Sequence, residues 1–220
     1  MIHFAIIPDG NRRWAKARGL LPWNGHERAV ENFRTLTDWF QKESFVGVLT
    51  VWCFSTENWK RDKKEVDALM KAFEDYLHKE QGALVKNSVK FLHSGRKDRI
   101  PKTLASLIAN TEEMTKDNKK FTLHLAIDYG GRDEIVRAVK KMDAADITEE
   151  SIRAHTDHPE LPDIDIIFRT SGEMRSSNFF LWQGAYAEWV ITDKDFPDIT
   201  TEDLADCLLT YQKRQRRYGA

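Results

Sequence analysis

Cysteine is nearly absent from this chain: Cys53 and Cys207 are the only two, and they lie far apart. Two such residues exclude a disulfide framework and a cysteine-rich metal site, and predict reduced thiols in a cytoplasmic protein. Long apolar runs are missing too. No window approaches the roughly 20 apolar residues of a spanning helix, and Asp9, Arg12 and Arg13 follow Ile6 and Ile7 too soon for a signal peptide. Net charge is also missing, since 34 Lys and Arg against 35 Asp and Glu leave −1. That balance predicts no nucleic acid or acidic membrane as partner, so any anion site must be local. Repeats and low-complexity linkers are lacking as well. What remains is 41% hydrophobic and 31% charged over 220 residues, the composition of one soluble globular domain spanning 1–220.

Short apolar runs alternate with longer amphipathic ones. Strands are expected at Phe4–Ile7, Val46–Phe54, Val89–Leu92, Phe121–Ile127 and Ile164–Phe168, where apolar, β-branched and aromatic residues concentrate. Leu181-Trp182 and Glu188–Ile191 are less decided. Helical spacing predicts a helix after a Gly25-His26 turn, running through Val30, Phe33, Leu36 and Phe40 to Phe45. A second helix has Val66, Leu69, Met70, Phe73 and Leu77 on its apolar face, with Lys63, Lys64, Glu65, Asp67 and Lys71 largely opposite. Further helices are expected at Pro101–Met114, Asp133–Met142 and Thr201–Tyr218. Near-continuous apolar strands alternating with helices predict an α/β fold, with a mostly parallel central sheet covered by helices.

In such folds ligands sit outside the carboxyl ends of the strands. Three polar segments with arginine fall there. In the first, Gly10 permits a tight turn, so that successive N–H groups could cup a phosphate, and Arg12 and Arg13 add guanidinium forks. Asp9 repels a phosphate unless a divalent cation lies between them, and magnesium prefers such oxygen ligands. A plain strand turn with Asp9 as a helix cap fits equally well. The middle segment sets Ser55, Glu57, Asn58 and Arg61 beside Phe54 and Trp59, as a charged head and a greasy tail would require, although Ser55-Thr56-Glu57-Asn58 also suits a helix cap. In the third, Arg169 directly follows Ile166-Ile167-Phe168, a place for a guanidinium only if it meets an anion or a buried acid such as Glu173 or Glu188. Arg175 and Ser177 supply further donors. His26 suits a helix cap or surface position as well as a phosphate contact. The aromatics are expected in the core, and the Lys60–Lys64 cluster on a solvated face.

Together these segments resemble the cis-prenyltransferase family of undecaprenyl diphosphate synthase. The likeness rests on Ile6 through Ala15, Gly25-His26, Phe54-Ser55-Thr56-Glu57-Asn58-Trp59, Tyr129-Gly130-Gly131-Arg132, Arg169 through Trp182 and Ala187-Glu188. It implies a parallel sheet ringed by helices around a hydrophobic tunnel, usually in a homodimer. It implies Mg-dependent condensation of isopentenyl diphosphate with an allylic diphosphate, expected to be farnesyl diphosphate, to give a polyprenyl diphosphate such as undecaprenyl diphosphate. Asp9 would hold magnesium with help from Glu188. Gly10, Asn11, Arg12, Arg13 and Trp14 would lie at the allylic substrate, and Arg169, Arg175 and Ser177 at isopentenyl diphosphate, with Arg61 also binding substrate. His26, Ser55 and Asn58 would assist leaving-group and proton handling. Trans-prenyltransferases use Asp-Asp motifs, and no Asp-Asp pair occurs here.

Some positions depart from the common pattern. Pro22 stands where family members often carry arginine, Arg12 where many have glycine, Pro8 where methionine is common, and Arg96 where many read aspartate. Arg12 is expected to replace part of the missing guanidinium. Val66, Leu69, Met70, Phe73, Ile108 and Leu125 are candidates to line or plug the tunnel and so set product length. A short-chain or branched product, or a non-catalytic accessory subunit, are the alternatives. The ending Arg216-Arg217-Tyr218-Gly219 resembles the family's C-terminus. Membrane contact, if made, is expected to be peripheral and through the product.

Overall fold

Every residue of β1 (Ile2–Ile7) is buried, because Phe4 and Ile6 face one layer of the molecule while Ala5 and Ile7 face the other. The same demand explains the near-continuous apolar runs of β2 (Val46–Ser55) and β4 (Phe121–Tyr129). These strands, with β3 (Val89–Ser94), β5 (Ile166–Arg169) and β6 (Glu188–Ile191), form one all-parallel sheet in the order β3-β4-β2-β1-β5-β6. The computed structural model describes residues 1–213. The ending at 216–219 lies outside the described residues.

One face of the sheet carries the main core. Against Phe4, Leu49, Val51 and Leu125 pack Phe33, Leu36 and Phe40 of α2 (Pro22–Phe40), Leu69, Phe73 and Leu77 of α3 (Lys63–Lys86), and Leu104 and Ile108 of α4 (Lys102–Thr115). The other face is covered by Phe179 and Phe180, which pack with Tyr129 and Ile167. No helix among the described residues is long and apolar enough to cross a membrane. Cys53 and Cys207 are thiols and not a disulfide, and burial pushes the Cys53 thiol up to about 12, which leaves it unreactive.

Several local expectations are corrected. Asn11–Ala17 is a helix, α1, begun by Gly10 at φ 95. A side chain on Gly10 would also run into the Asp195 carboxylate. Gly25-His26 is no turn: α2 already starts at Pro22, whose fixed φ suits a first helical position. Gly25 is needed because the Asn11 carbonyl of α1 packs where its Cβ would stand. That helix stops at Phe40, five residues short of the expected end, and Phe45 is exposed. Leu181-Trp182 lies in turns, whereas Glu188–Ile191 is the edge strand β6. The helix expected from Asp133 is α5 (Gly131–Val139). A short helix α6 (Glu149–Ala154) was not anticipated; Thr148 and Ser151 cap it reciprocally. The last helix, α7 (Thr201–Lys213), is described to Lys213.

A chain of buried hydrogen bonds crosses four strands beneath Phe180. The Pro162 carbonyl can only accept, so His3 Nδ1 donates to it at 2.8 Å and His3 Nε2 accepts from the Thr50 hydroxyl at 2.6 Å. Thr50 Oγ1 then accepts from His124 Nδ1 at 2.9 Å, and His124 Nε2 accepts from Ser94 at 2.8 Å. Both rings are thereby fixed as neutral tautomers. Burial lowers His3 to about 4 and His93 to about 3, and holds His124 well below its ordinary 6.5. His158 opposes them: burial would lower it, but hydrogen bonds to Glu160 and the His93 carbonyl raise it. Between about pH 6.5 and 4 the unfolded chain therefore binds protons that the folded one excludes, and stability rises with pH. Each of the three histidines contributes a slope of up to about 1.4 kcal/mol per pH unit in that window, whereas the opposite slope from His158 lies above about pH 6.5. Denaturant unfolding at pH 7, 5.5 and 4.5 is expected to show a steep loss of stability on acidification. A flat profile across that window would contradict the neutral-histidine chain.

Candidate active site

The sheet's order reverses around β1: the chain moves from β1 to β2 on one side and returns to β5 on the other, which opens a crevice at their carboxyl ends. Ile7 is in register with Arg169, so Asp9 and Arg169 emerge side by side, and Ser55 ends the neighbouring β2. All three polar segments identified in the sequence thus converge by topology alone.

They line two connected polar chambers. One, of about 500 Å³, is walled by Asp9, His26, Ser55, Asn58, Arg61, Arg169 and Ser177. The other, of about 640 Å³, is walled by Asp9, Gly10, Asn11, Arg12, Arg13, Arg61 and Arg175, with Pro22 and Glu173. A narrow apolar recess of about 60 Å³ joins them at Asn11 and His26, between Phe33, Leu69, Phe73, Tyr76 and Leu125. Of the tunnel candidates, Leu69, Phe73 and Leu125 line this recess, whereas Val66, Met70 and Ile108 are buried in the main core without bordering it. A small recess, and not the expected open tunnel, lies between these residues.

Asp9 is gripped from several sides. Its Oδ1 accepts from the Gly10 N–H at 2.8 Å, and its Oδ2 from Arg169 at 2.9 Å, with Arg13 3.6 Å away. Thr170 Oγ1 and the Phe196 N–H both donate to the Asp9 carbonyl, which fixes the strand exit. Arg169 is only 3% exposed. It donates to Ser177 Oγ at 3.0 Å and to the Arg175 carbonyl, so its acidic partner is Asp9 and not the expected Glu173 or Glu188. Its Nε–H finds no protein acceptor, although buried at the chamber wall. An anionic oxygen in the chamber would satisfy it. Glu173 instead pairs with Arg13 at 2.7 Å and with Arg175. A diphosphate entering this chamber must therefore compete with a carboxylate for two guanidinium groups.

Ser55 and Asn58 belong to a 3₁₀ turn, Thr56–Lys60, that continues from β2. The Ser55 N–H donates to Asn58 Oδ1 at 3.0 Å, so the anticipated cap exists, and Asn58 also lines the chamber. His26, on α2, meets Glu65 at 3.3 Å. Burial lowers its pKa, Glu65 opposes and Arg61 reinforces that shift, so the imidazole is neutral at pH 7.

Glu65 is the functional residue that the sequence reading missed. Expected on the solvated side of α3, it is 5% exposed and lies against three cationic or basic groups: His26 and Arg61 at 3.3 Å and Arg12 at 3.8 Å. It gathers Arg12, Arg61 and His26, all of which line the larger chamber. The unpartnered arginines of the first and middle segments were the available signal. Asn178 was also missed; it accepts from the Arg132 N–H at 2.8 Å and donates to Glu57 at 3.2 Å, which ties the third segment to the middle one.

Two expected residues lie elsewhere. Trp14 borders neither chamber, since its indole donates to Asp198 at 2.7 Å beneath the Arg18 guanidinium, and it braces α1. Glu188 opens β6 opposite Ile166, three positions before the pair Arg169–Ile191, which places it about 10 Å down the sheet from the Asp9 end. It therefore does not join Asp9 within one chain.

Among the described residues no group of three or more His, Cys, Asp or Glu side chains could enclose a metal. Magnesium does not require one, because it keeps several waters and is commonly held by one or two carboxylates plus substrate phosphates. The half-buried Asp9 carboxylate beside an arginine-lined chamber fits that donor set.

Comparison with known proteins agrees with this geometry. The sequence profile of the prenyltransferase family described as undecaprenyl diphosphate synthase matches residues 7–219. The isoprenyl transferase of Fusobacterium nucleatum is 44% identical over 99% of this chain and 95% of its own length, and that of Thermotoga maritima is 42% identical over 99% and 96%. Lavandulyl diphosphate synthase from Lavandula x intermedia, solved with dimethylallyl diphosphate, superposes with a TM-score of 0.93 at 36% identity, covering 99% of this chain and 98% of that one. A probable undecaprenyl diphosphate synthase from Campylobacter jejuni gives 0.82 at 30% identity, with the same coverage.

Proposed function

The chain belongs to the undecaprenyl diphosphate synthase family of prenyltransferases, and from that premise we propose that it condenses isopentenyl diphosphate with an allylic diphosphate in a Mg-dependent, stepwise cis reaction. The observation that carries this reading is the pairing of Asp9 with Arg169 between two arginine-lined chambers, with an apolar recess opening between them. Two diphosphates and one prenyl tail are the ligands such a shape suits.

The allylic diphosphate lies against Gly10, Asn11, Arg12 and Arg13, with its tail toward the recess behind His26. Asp9 holds the magnesium ion, which when bound neutralises charge on the departing diphosphate. Arg12 and Arg13 share that task from fixed positions. Arg12 lines the same chamber as Pro22, as its compensating role requires. Arg169, Arg175 and Ser177 hold the diphosphate of isopentenyl diphosphate, with Glu173 released from the guanidiniums. The double bond of that substrate attacks the allylic carbon as diphosphate leaves, and a proton is then lost. Neutral His26 receives that proton, and the Ser55 hydroxyl and Asn58 amide orient the leaving group. The chain works as a homodimer in the cytoplasm and hands its product to a membrane surface.

Farnesyl diphosphate as starter and a product near eleven isoprene units follow the family. A second reading, a short or branched product, is favoured by the small recess and by the close superposition on lavandulyl diphosphate synthase. Purified protein incubated with labelled isopentenyl diphosphate, farnesyl diphosphate and magnesium is expected to yield a ladder of polyprenyl diphosphates. A single short product would select the second reading. Absence of product with farnesyl, geranyl, geranylgeranyl and dimethylallyl starters would sink both.

A further inference from the structure

Asp128 borders neither polar chamber, yet it is fully buried at the end of β4 and adopts a left-handed backbone, φ 52. Such a conformation at a non-glycine residue costs of order 1 kcal/mol or more and persists only where the surroundings hold it. Arg99, from the turn after β3, grips the carboxylate with two hydrogen bonds of 2.8 and 2.7 Å, which fixes the carboxylate plane. Into the Oδ1 so placed, Trp59 donates its indole N–H at 2.8 Å.

Trp59 is the residue after Asn58 on the five-residue turn Thr56–Lys60. A single 3₁₀ turn buries too little surface to hold its own orientation. Its ring meets Phe54 edge-on at 5.0 Å and packs against the main core, apolar contacts that carry no directional bond. The Glu57–Asn178 contact is exposed to solvent, and the Ser55–Asn58 bond lies within the turn itself. The Trp59–Asp128 bond is thus the directional tie to a rigid strand. We infer that Asp128 is a positioning residue for Asn58, acting through the indole of Trp59, with Arg99 as the clamp that aims the carboxylate. The inference rests on the prenyl-transfer reading, in which Asn58 faces the reacting groups.

The experiment is a double-mutant cycle of Trp59→Phe and Asn58→Ala, with kcat, both KM values and thermal unfolding measured for each protein. Phenylalanine keeps an aromatic ring but removes the N–H together with part of the indole, so thermal unfolding and the isosteric Asp128→Asn separate the lost bond from lost packing. Trp59→Phe is expected to lower kcat by about 10- to 100-fold, as an ångström-scale misplacement does, with both KM values within about twofold and the fold intact. In the Asn58→Ala background the same change is expected to cost almost nothing. Asp128→Asn, of equal volume, is expected to show the same background dependence. Losses that multiply across the two backgrounds, or an unchanged kcat in Trp59→Phe, would overturn the inference while leaving prenyl transfer standing. A wild-type protein with no turnover would overturn the prenyl-transfer reading and this inference with it.

Discussion

Asp9→Asn is expected to lower kcat by about 10³-fold, close to 4 kcal/mol of transition-state stabilisation. The substitution keeps the shape and an oxygen for the Gly10 N–H, and removes the charge alone. Two things are lost together. The chamber loses its carboxylate donor to a divalent cation, and buried Arg169 loses the anion 2.9 Å from its fork. Arg169 is buried, so leaving its guanidinium without an anion should also cost stability, and the melting temperature is expected to fall by several degrees with the protein still folded at 25 °C. The rate loss should not be restored by excess magnesium, and EDTA should bring the wild-type enzyme to a similar floor. An Asp9→Asn rate within tenfold of wild type would show that the metal is held elsewhere.

Arg169→Lys is expected to raise the KM for isopentenyl diphosphate by about 10²-fold while the KM for the allylic substrate changes far less. Arg169 serves Asp9, Ser177 and the Arg175 carbonyl at once from a buried position. Lysine keeps the charge but is a point donor on a different reach, so it cannot reproduce a planar fork that meets three acceptors. Its unsatisfied Nε–H, the contact left for a ligand, disappears as well. Steady-state kinetics with each substrate varied in turn check the split. An increase confined to the allylic KM would mean that the two diphosphates occupy the opposite chambers.

Much of this site was legible because its parts are local. Strands β1, β2 and β4 are buried on both faces, so they read as continuous apolar runs, and the polar residues that end them stand out. Asp9, Ser55 and Arg169 were found in this way, and parallel topology then brought them together. What failed depended on partners distant in sequence. Gly25 reads as a turn until the Asn11 carbonyl is seen to occupy the space of its side chain. Glu65 reads as a solvated helix residue because periodicity along α3 cannot show that Arg12 and His26 will dock on it. Asp128 hides behind a Tyr-Gly-Gly motif, and only the fold reveals its bonds to Arg99 and Trp59. Trp14 and Glu188, expected at the site from the family resemblance, lie away from the chambers within one chain, the first bonded to Asp198 and the second down the sheet by the register of β6.

A structure of the protein with magnesium, isopentenyl diphosphate and an unreactive thio analogue of farnesyl diphosphate tests the two-chamber assignment most directly. The expected result has the allylic diphosphate against Gly10–Arg13 with the metal on the Asp9 carboxylate. The second diphosphate should lie on Arg169, Arg175 and Ser177, with Glu173 displaced and the prenyl tail inside the opened recess between Phe33, Phe73 and Leu125. A metal bound away from Asp9, or a prenyl tail lying outside that recess, would contradict it.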